Sequence, residues 1–443
     1  MTKDPIVQMP DGYLNRTPMF QFILLSLLFP LWAVAASLND ILIAQFKHVF
    51  ELSDFASALV QSAFYGGYFL VAIPASLVIK KTSYKFGIMA GLIFYIIGCS
   101  LFYPASNMAT YTMFLFAIFS IAIGLGFLET AANTYSAMIG PRKYGTLRLN
   151  ISQTFYPIGA ISGILLGKYL VFQEGESLEK QMANMTTAEA HQFGLQMLQH
   201  TLAPYKFIIF VLIGILILFA VTRFPACKPQ QADATKIRIL DAVKHLGSNR
   251  RFRKGILAQF LYVGMQVTVW SFTIRLALSL NPELNERVAS NFMLYSFVAF
   301  FAGKFIANFL MARFSVNQVI IAYSVIGTAV LAYAALVPNM TAVYATVVVS
   351  MLFGPCWATI YAETLEVVEE KKYTEIAGAV LVMSIVGGAF IPAVQGLASD
   401  WFGSLQLSFL VPMLCFAAVG LHFAGKRKEE MATVRVKDNR IAQ

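Results

Sequence analysis

The sequence predicts an all-α integral membrane protein of twelve transmembrane helices arranged as two six-helix bundles. Three observations carry this. Only 13% of the 443 residues are charged and 58% are hydrophobic, whereas a soluble chain has roughly 25% charged residues. Apolar runs long enough to cross a bilayer, which takes about 20 residues, recur along the whole chain. One long basic stretch in the middle separates six such runs from six.

In order, the first set of runs is 19–46, 55–79, 86–104, 108–139, 146–172 and 204–223. The second set is 255–280, 288–311, 317–337, 341–367, 375–399 and 404–425. Each must be helical, because lipid offers no partner to a free backbone N–H or C=O. Glycine and proline inside the runs, as at Gly66-Gly67, Pro74, Pro157, Gly387-Gly388 and Pro392, suit membrane helices, where they allow close packing and bending. The expected domains are a bundle over 1–223, a basic linker over 224–254, and a second bundle with the tail over 255–443.

Loop charges set the expected orientation. Lys80, Lys81 and Lys85 follow run 2; Arg142, Lys143 and Arg148 follow run 4; Lys426, Arg427 and Lys428 follow run 12. Lys228, Lys236, Arg238, Lys244, Arg250, Arg251, Arg253 and Lys254 fill the central stretch. All these junctions are even-numbered and fall on one side. The opposite loops are poor in Lys and Arg, and the longest, 173–203, carries Glu174, Glu176, Glu179 and Glu189. Lys/Arg bias therefore places both termini in the cytoplasm of a plasma (inner) membrane protein. Six plus six is the plan of the major facilitator transporters. The internal repeat is weak: IKKTSYKFG follows run 2 and MARFSVNQV follows run 8.

Other classes are disfavoured. The net charge is +10, yet no aromatic-basic interleaving marks a nucleic-acid surface, and the charge belongs to membrane loops. Cys99, Cys227, Cys356 and Cys415 are far apart, which suggests neither a disulfide framework nor a metal site. Asn-x-Thr matches at Asn15, Asn184 and Asn339 are read as chance. The first eighteen residues are polar with no small-residue cleavage site, so no removable signal peptide is expected. Without a nucleophile elbow, metal cluster or phosphate-binding glycine loop, an enzyme is not expected, nor any cofactor.

The polar residues inside the runs point to function. Asn39 and Asp40 sit side by side in WAVAASLNDILIAQF, and Glu129 lies deep in GLGFLETAANTY. A carboxylate near mid-bilayer costs roughly 2.5–3.5 kcal/mol and is by default a functional residue. Arg275, Lys304 and Glu363 read as structural ion pairs or snorkelling end residues. Glu129 and Asn133 are spaced i,i+4 and share a helix face, as do Asn150 and Gln153 at i,i+3. Gln61, Tyr65 and Tyr68 form a stripe, and so do Gln259, Tyr262, Gln266 and Trp270. Such stripes are expected to line a wet cavity. Amides and carboxylates can bond hydroxyl groups, and Trp32, Trp270 and Trp357 offer flat apolar faces with an N–H at the edge. A sugar suits this lining; an amphipathic amino acid or a nucleoside also fits.

At these residues the chain resembles the L-fucose–proton symporters, a branch of the major facilitator superfamily. The matching pieces are LNDIL (38–42), QSAFYGGYF (61–69), IPA with KKTSYKFG (73–87), GLGFLETAAN (124–133), RLNISQTF (148–155) and LAQFLYVGMQ (257–266). The resemblance implies that Asp40 is the run-1 aspartate of proton coupling. It implies that Glu129 serves both sugar binding and protonation, and that Gln153 lines the cavity. Related glucose/galactose carriers have glutamine where Glu129 stands. Departures from the fucose pattern are Ser37 and Tyr156 for asparagines, Trp357 for a tyrosine, Thr134 for a proline and Lys304 for an arginine. These put the exact sugar in question.

The expected function is proton-coupled uptake of a monosaccharide, L-fucose first, by a monomer that alternates access. The expected proton-coupling residues are Asp40 and Glu129. The expected sugar contacts are Glu129, Gln153, Asn39, Ser37, Asn133, Tyr156, Gln61, Gln266, Trp270 and Trp357. The alternatives are a sodium- or proton-coupled carrier of another hexose or amino sugar, and a non-transporting membrane sugar receptor.

Overall fold

The computed structural model describes the chain except residues 1–4, 11, 51, 109, 154, 173–177, 184, 228–238, 312, 369–372 and 442–443. Lys228, Lys236, Arg238, Glu174, Glu176 and Asn184, singled out above, lie outside the described residues, as do the side chains of Lys80, Asn150, Glu179 and Lys428. Two compact units emerge. The first is Met1–Leu52, Leu59–Arg238 and Asn285–Ser290; the second is Ser53–Ala58, Ile239–Leu284 and Asn291–Gln443.

Helices form where the apolar runs predict them, and proline marks several restarts. Run 1 is α1 (Met19–Ser26) followed by α2 (Phe29–Val49). Pro30 stands in the first turn of α2, where a missing N–H costs nothing and φ is already helical. Then come α3 (Asp54–Lys81), α4 (Tyr84–Met108) and α5 (Tyr111–Met138). Run 5 divides into α6 (Gly145–Gln153) and α7 (Tyr156–Leu166), with Pro157 in the first turn of α7, and ends in a wide turn at Gly167–Val171. A short α8 (Leu178–Ala183) precedes α9 (Thr187–Val221).

α9 corrects the sequence reading, which left 173–203 as a loop and began the helix at 204. A capping box starts it earlier. Glu189 N–H bonds Thr186 Oγ1, and the Glu189 carboxylate accepts Thr186 N–H at 2.9 Å. The Thr186 side-chain and backbone bonds hold the Glu189 carboxyl below the ordinary carboxylate range. These caps satisfy orphan N–H groups in water, so the helix need not wait for the apolar stretch.

Two contacts in the first unit depend on missing side chains. α4 packs along α5, where a Cβ on Gly124 would lie 2.6 Å from the carbonyl oxygen of Gly91. α7 packs along α2 through Gly159, Gly163 and Gly167, one turn apart. A Cβ at Gly159 would lie 2.2 Å from the Pro30 carbonyl oxygen. Small residues at four-residue spacing let helix backbones approach this closely in lipid. Aromatic rings fill the core, with Phe102 stacked on Tyr205 at 4.0 Å and Phe46 against Phe114 at 4.8 Å.

The remaining helices are α10 (Ile239–Ser248), α11 (Arg250–Leu280), α12 (Glu286–Met311) and α13 (Val316–Leu336). Run 10 breaks into α14 (Thr341–Leu352) and α15 (Cys356–Glu366) around Phe353-Gly354-Pro355. Pro355 has no N–H to bond back along the helix, so the chain re-nucleates at Cys356. Run 11 becomes α16 (Thr374–Met383), a tight turn at Ser384–Val386, and α17 (Gly387–Phe402). Gly403 closes α17 with φ +61°, a left-handed cap that glycine adopts without strain. α18 (Leu410–Ile441) follows. Among the described residues, 11 segments are long and apolar enough to cross a membrane. Thr341–Leu352 is a shorter apolar helix and supplies the first part of the tenth run. The fold is the all-α membrane architecture that the sequence predicts.

Candidate functional site

Asp40 sits on α2, 5% exposed, deep in the first unit. Gln61 of α3 donates from Nε2 to Asp40 Oδ1 at 2.7 Å and is itself buried. A neutral amide can hydrogen-bond a carboxyl group in either protonation state, donating to its oxygen or accepting from its O–H. Glu129 of α5 is half-buried. Both carboxyl groups lie within electrostatic reach of Tyr65 and Tyr156, and Glu129 also of Tyr68. Tyr65 and Tyr68 are stacked at 6.2 Å. Asp40 and Glu129 thus share one tyrosine-lined neighbourhood built from α2, α3, α5 and α7.

One turn beyond Glu129, Asn133 Oδ1 accepts from Gln153 Nε2 at 3.0 Å, and both side chains are half-buried. Two neighbours on α2 have unused polar atoms. Ser37 Oγ and Asn39 Nδ2 are buried without a hydrogen-bond partner, and the Ser37 Cβ lies against Gly163 of α7. Buried polar groups are usually bonded, so these two are open positions on α2 for a ligand hydroxyl or water. Trp32 is 4% exposed and packs on Phe29 at 4.6 Å, a core contact.

The bonds that support this cluster were not visible in the sequence. Ser26, Ser152 and Ser136 form a buried hydroxyl chain, at 2.9 Å and 2.8 Å, tying α6 to α1 and α5. Arg148, read above only as a loop charge, is 4% exposed. It donates to the carbonyl oxygens of Ser136 at 3.3 Å, Pro141 at 2.9 Å and Ala137, closing the end of α5. Cations suit the unsatisfied carbonyls of a helix C-terminus. A basic residue seven positions past Pro141 of a Gly-Pro is the one signal that pointed there.

In the second unit, Gln266 is half-buried while Gln259, Tyr262 and Trp270 of the same stripe are buried. Trp270 donates from Nε1 to Ser350 Oγ at 3.1 Å and is packed by Phe297 at 4.7 Å and Phe300 at 5.2 Å. Tyr262 donates to the carbonyl oxygen of Phe353 at 2.9 Å, at the break before α15. Both Gln259 amide atoms are buried without a partner. Trp357 is half-buried and stacks on Tyr361 at 5.3 Å. Lys304 Nζ lies 4.6 Å from the Phe300 ring centre.

The charged residues read as structural behave so in two cases. Glu363 pairs with Lys426. Arg275 bonds Ser57 Oγ at 2.7 Å and lies 3.7 Å from the Asp54 carboxylate. Asp54 also accepts from Ser399 Oγ at 2.5 Å, and Asp400 accepts the backbone N–H groups of Asp54 and Phe55, each at 3.0 Å. Sequence reasoning missed Asp54, Ser57, Ser399 and Asp400, because their partners are hundreds of positions away.

Apolar spans in succession, with acids and amides held inside them, define a multi-pass membrane carrier. The chain belongs to the Major Facilitator Superfamily, whose family model matches residues 19–392. It is 36% identical over 415 residues to the L-fucose-proton symporter of Escherichia coli (strain K12), covering 92% of this chain and 93% of that one. It is 29% identical over 402 residues to a glucose/galactose transporter of Brucella abortus biovar 1, covering 90% and 92%. A crystal structure of the Major Facilitator Superfamily transporter FucP in the outward conformation matches with TM-score 0.69 at 35% identity, covering 92% of this chain and 98% of that one.

Proposed function

We propose that this carrier takes up a monosaccharide, L-fucose first, together with protons, by alternating access. The single observation that carries this reading is the Asp40–Gln61 pair beside a half-buried Glu129, in a chain so similar to an L-fucose-proton symporter. A buried carboxyl is disfavoured in its charged form, so proton binding lets the acid move through a low-dielectric path that the bare carboxylate opposes. Asp40 carries the coupling proton. Glu129 takes a proton and bonds sugar hydroxyls, with Gln153, Asn133, Asn39, Ser37, Tyr156 and Gln61 around it. Gln266, Trp270 and Trp357 supply the second unit's contribution. Each proton moved inward contributes about 1.4 kcal/mol per pH unit and about 2.3 kcal/mol per 100 mV, so either gradient supports roughly tenfold accumulation or more.

In this scheme 1–223 and 255–443 are the two rocking bundles and 224–254 is their linker. The carrier works as a monomer in the inner membrane with both termini in the cytoplasm. A second reading, a carrier of another hexose, is favoured by the departures at Ser37, Tyr156 and Trp357 and by the likeness to a glucose/galactose transporter.

Counterflow with a panel of labelled sugars in proteoliposomes separates the two. L-fucose counterflow, with acidification of the lumen when L-fucose enters de-energised vesicles, supports the first reading. Counterflow of glucose or galactose without L-fucose supports the second. A strict sodium requirement with no pH change contradicts proton coupling.

A further inference from the structure

The short helix before α11 forms a surface that the transport scheme does not use. α10 is amphipathic. Ala242 and Leu246 are buried, and Leu246 joins Phe252, Ala377 and Leu381 in a small apolar cluster. Asn249 fixes the elbow into α11. Its Oδ1 accepts the backbone N–H groups of Arg251 at 2.9 Å and Phe252 at 3.2 Å, and its Nδ2 reaches the Val367 carbonyl oxygen at 3.5 Å. α10 is therefore held against α16 rather than hanging on a loose tether.

The apolar arc of α10 continues past the part that the protein covers. Leu240 is 77% exposed and Val243 39% exposed. With Gly247, where an added Cβ would meet nothing within 4 Å, they stand at i, i+3 and i+7 on one face. Beside this face lies a block of cations. Lys244, Arg250, Arg251, Arg253 and Lys254 are all exposed, and Asp241 is the single acid of α10. Arg250 opens a segment long and apolar enough to cross a membrane. Leu257, two turns further along it, is 56% exposed. The cations and the uncovered apolar face thus stand at the start of that apolar segment.

We propose that α10 and the first turn of α11 dock on acidic phospholipid headgroups, with Leu240 and Val243 entering the acyl boundary. Charge complementarity selects this occupant. A zwitterionic surface gives no reason for this concentration of cations, whereas a basic block at the end of a crossing helix is matched to anionic lipid. An amphipathic helix with uncovered apolar residues lies in the interface plane. Docking holds the junction between the basic stretch and α11 at a fixed depth.

The test uses the full-length chain in nanodiscs of equimolar phosphatidylcholine and phosphatidylglycerol. A fluorophore is attached at Val243→Cys, the four native cysteines being buried. One lipid or the other carries brominated chains. Brominated phosphatidylglycerol is expected to quench at least about threefold more than brominated phosphatidylcholine, and about 0.5 M salt should remove that preference. Substituting Arg250, Arg251, Arg253 and Lys254 together by Gln should equalise the two lipids while leaving sugar counterflow intact. Inorganic phosphate at about 20 mM should change nothing, since one soluble anion lacks the membrane's summed potential. Equal quenching by both lipids in the parent chain overturns the proposal, as does a preference that survives the four substitutions. Loss of the preference in phosphate overturns it too, and makes the surface a soluble-anion site.

Discussion

The polar side chains singled out in the two units differ in their partners. In the first, amides pair with a carboxylate and with another amide, Gln61 with Asp40 and Gln153 with Asn133, while Glu129 stays half-buried and Ser37 and Asn39 keep unused atoms. In the second, the indole, hydroxyl and phenol groups of α11 are spent on the framework, while both Gln259 amide atoms stay without a partner. Trp270 bonds Ser350, Thr273 bonds Thr346, and Tyr262 bonds the Phe353 backbone. An amide paired with a carboxylate can exchange its partner for a proton or a hydroxyl. A phenol bonded to the carbonyl at a helix break cannot leave without orphaning that carbonyl. The amide pairs of the first unit can therefore exchange partners, whereas these bonds of α11 hold shape.

Breaking the frame of the first unit should have the largest effect. Gly159→Leu pushes a side chain into the Pro30 backbone of α2, which has no flexible end to yield, at a cost above about 3 kcal/mol. Loss of monodisperse protein in size-exclusion chromatography is the expected result, and a folded, active variant would refute the close α2–α7 contact. Next in size, Glu129→Gln removes a charge-assisted acceptor worth about 2 kcal/mol, or roughly thirtyfold in sugar affinity. Isothermal titration that finds unchanged affinity would remove Glu129 from the site.

Trp270→Phe sharpens the contrast from the other side. The ring packing survives, the bond to Ser350 does not, and thermal unfolding should drop by about 1–2 kcal/mol. Sugar affinity should stay within about threefold, because that bond serves the frame. A large affinity loss with unchanged stability would instead assign the Trp270 N–H, and not its ring face alone, to the sugar. The smallest effect is expected from Gln153→Leu, which orphans Asn133 for about 1 kcal/mol, a several-fold rise in apparent KM for uptake.

Much of the first unit's site was legible because carboxylates are conspicuous in apolar sequence. Asp40 and Glu129 stand out on cost alone, and helical spacing brought Asn133 and Gln61 into view. Their bond partners were less visible: nothing local says that Gln61 meets Asp40 or that Gln153 meets Asn133. The helix breaks were legible only as proline inside apolar runs, since Pro30, Pro157 and Pro355 mark restarts while Pro74 and Pro204 lie inside continuous helices. The Ser26–Ser152–Ser136 chain and the capping role of Arg148 were hidden, because serine is ordinary in membrane helices and a loop arginine looks like an orientation signal. The stripe on α11 misled in one respect. Periodicity groups Gln259, Tyr262, Gln266 and Trp270 on one face, but it cannot say whether that face meets a cavity or another helix, and Tyr262 and Trp270 meet helices.

The central claim is that Asp40 carries the coupling proton and does not hold the sugar. Asp40→Asn preserves the shape and the bond capacity toward Gln61 while removing the titratable group. Measured side by side in the same proteoliposomes, this variant should sustain labelled-sugar counterflow within about threefold of the parent chain, as an isosteric neutral replacement allows, yet show no accumulation under an imposed proton gradient. Full uphill accumulation by Asp40→Asn would contradict the account.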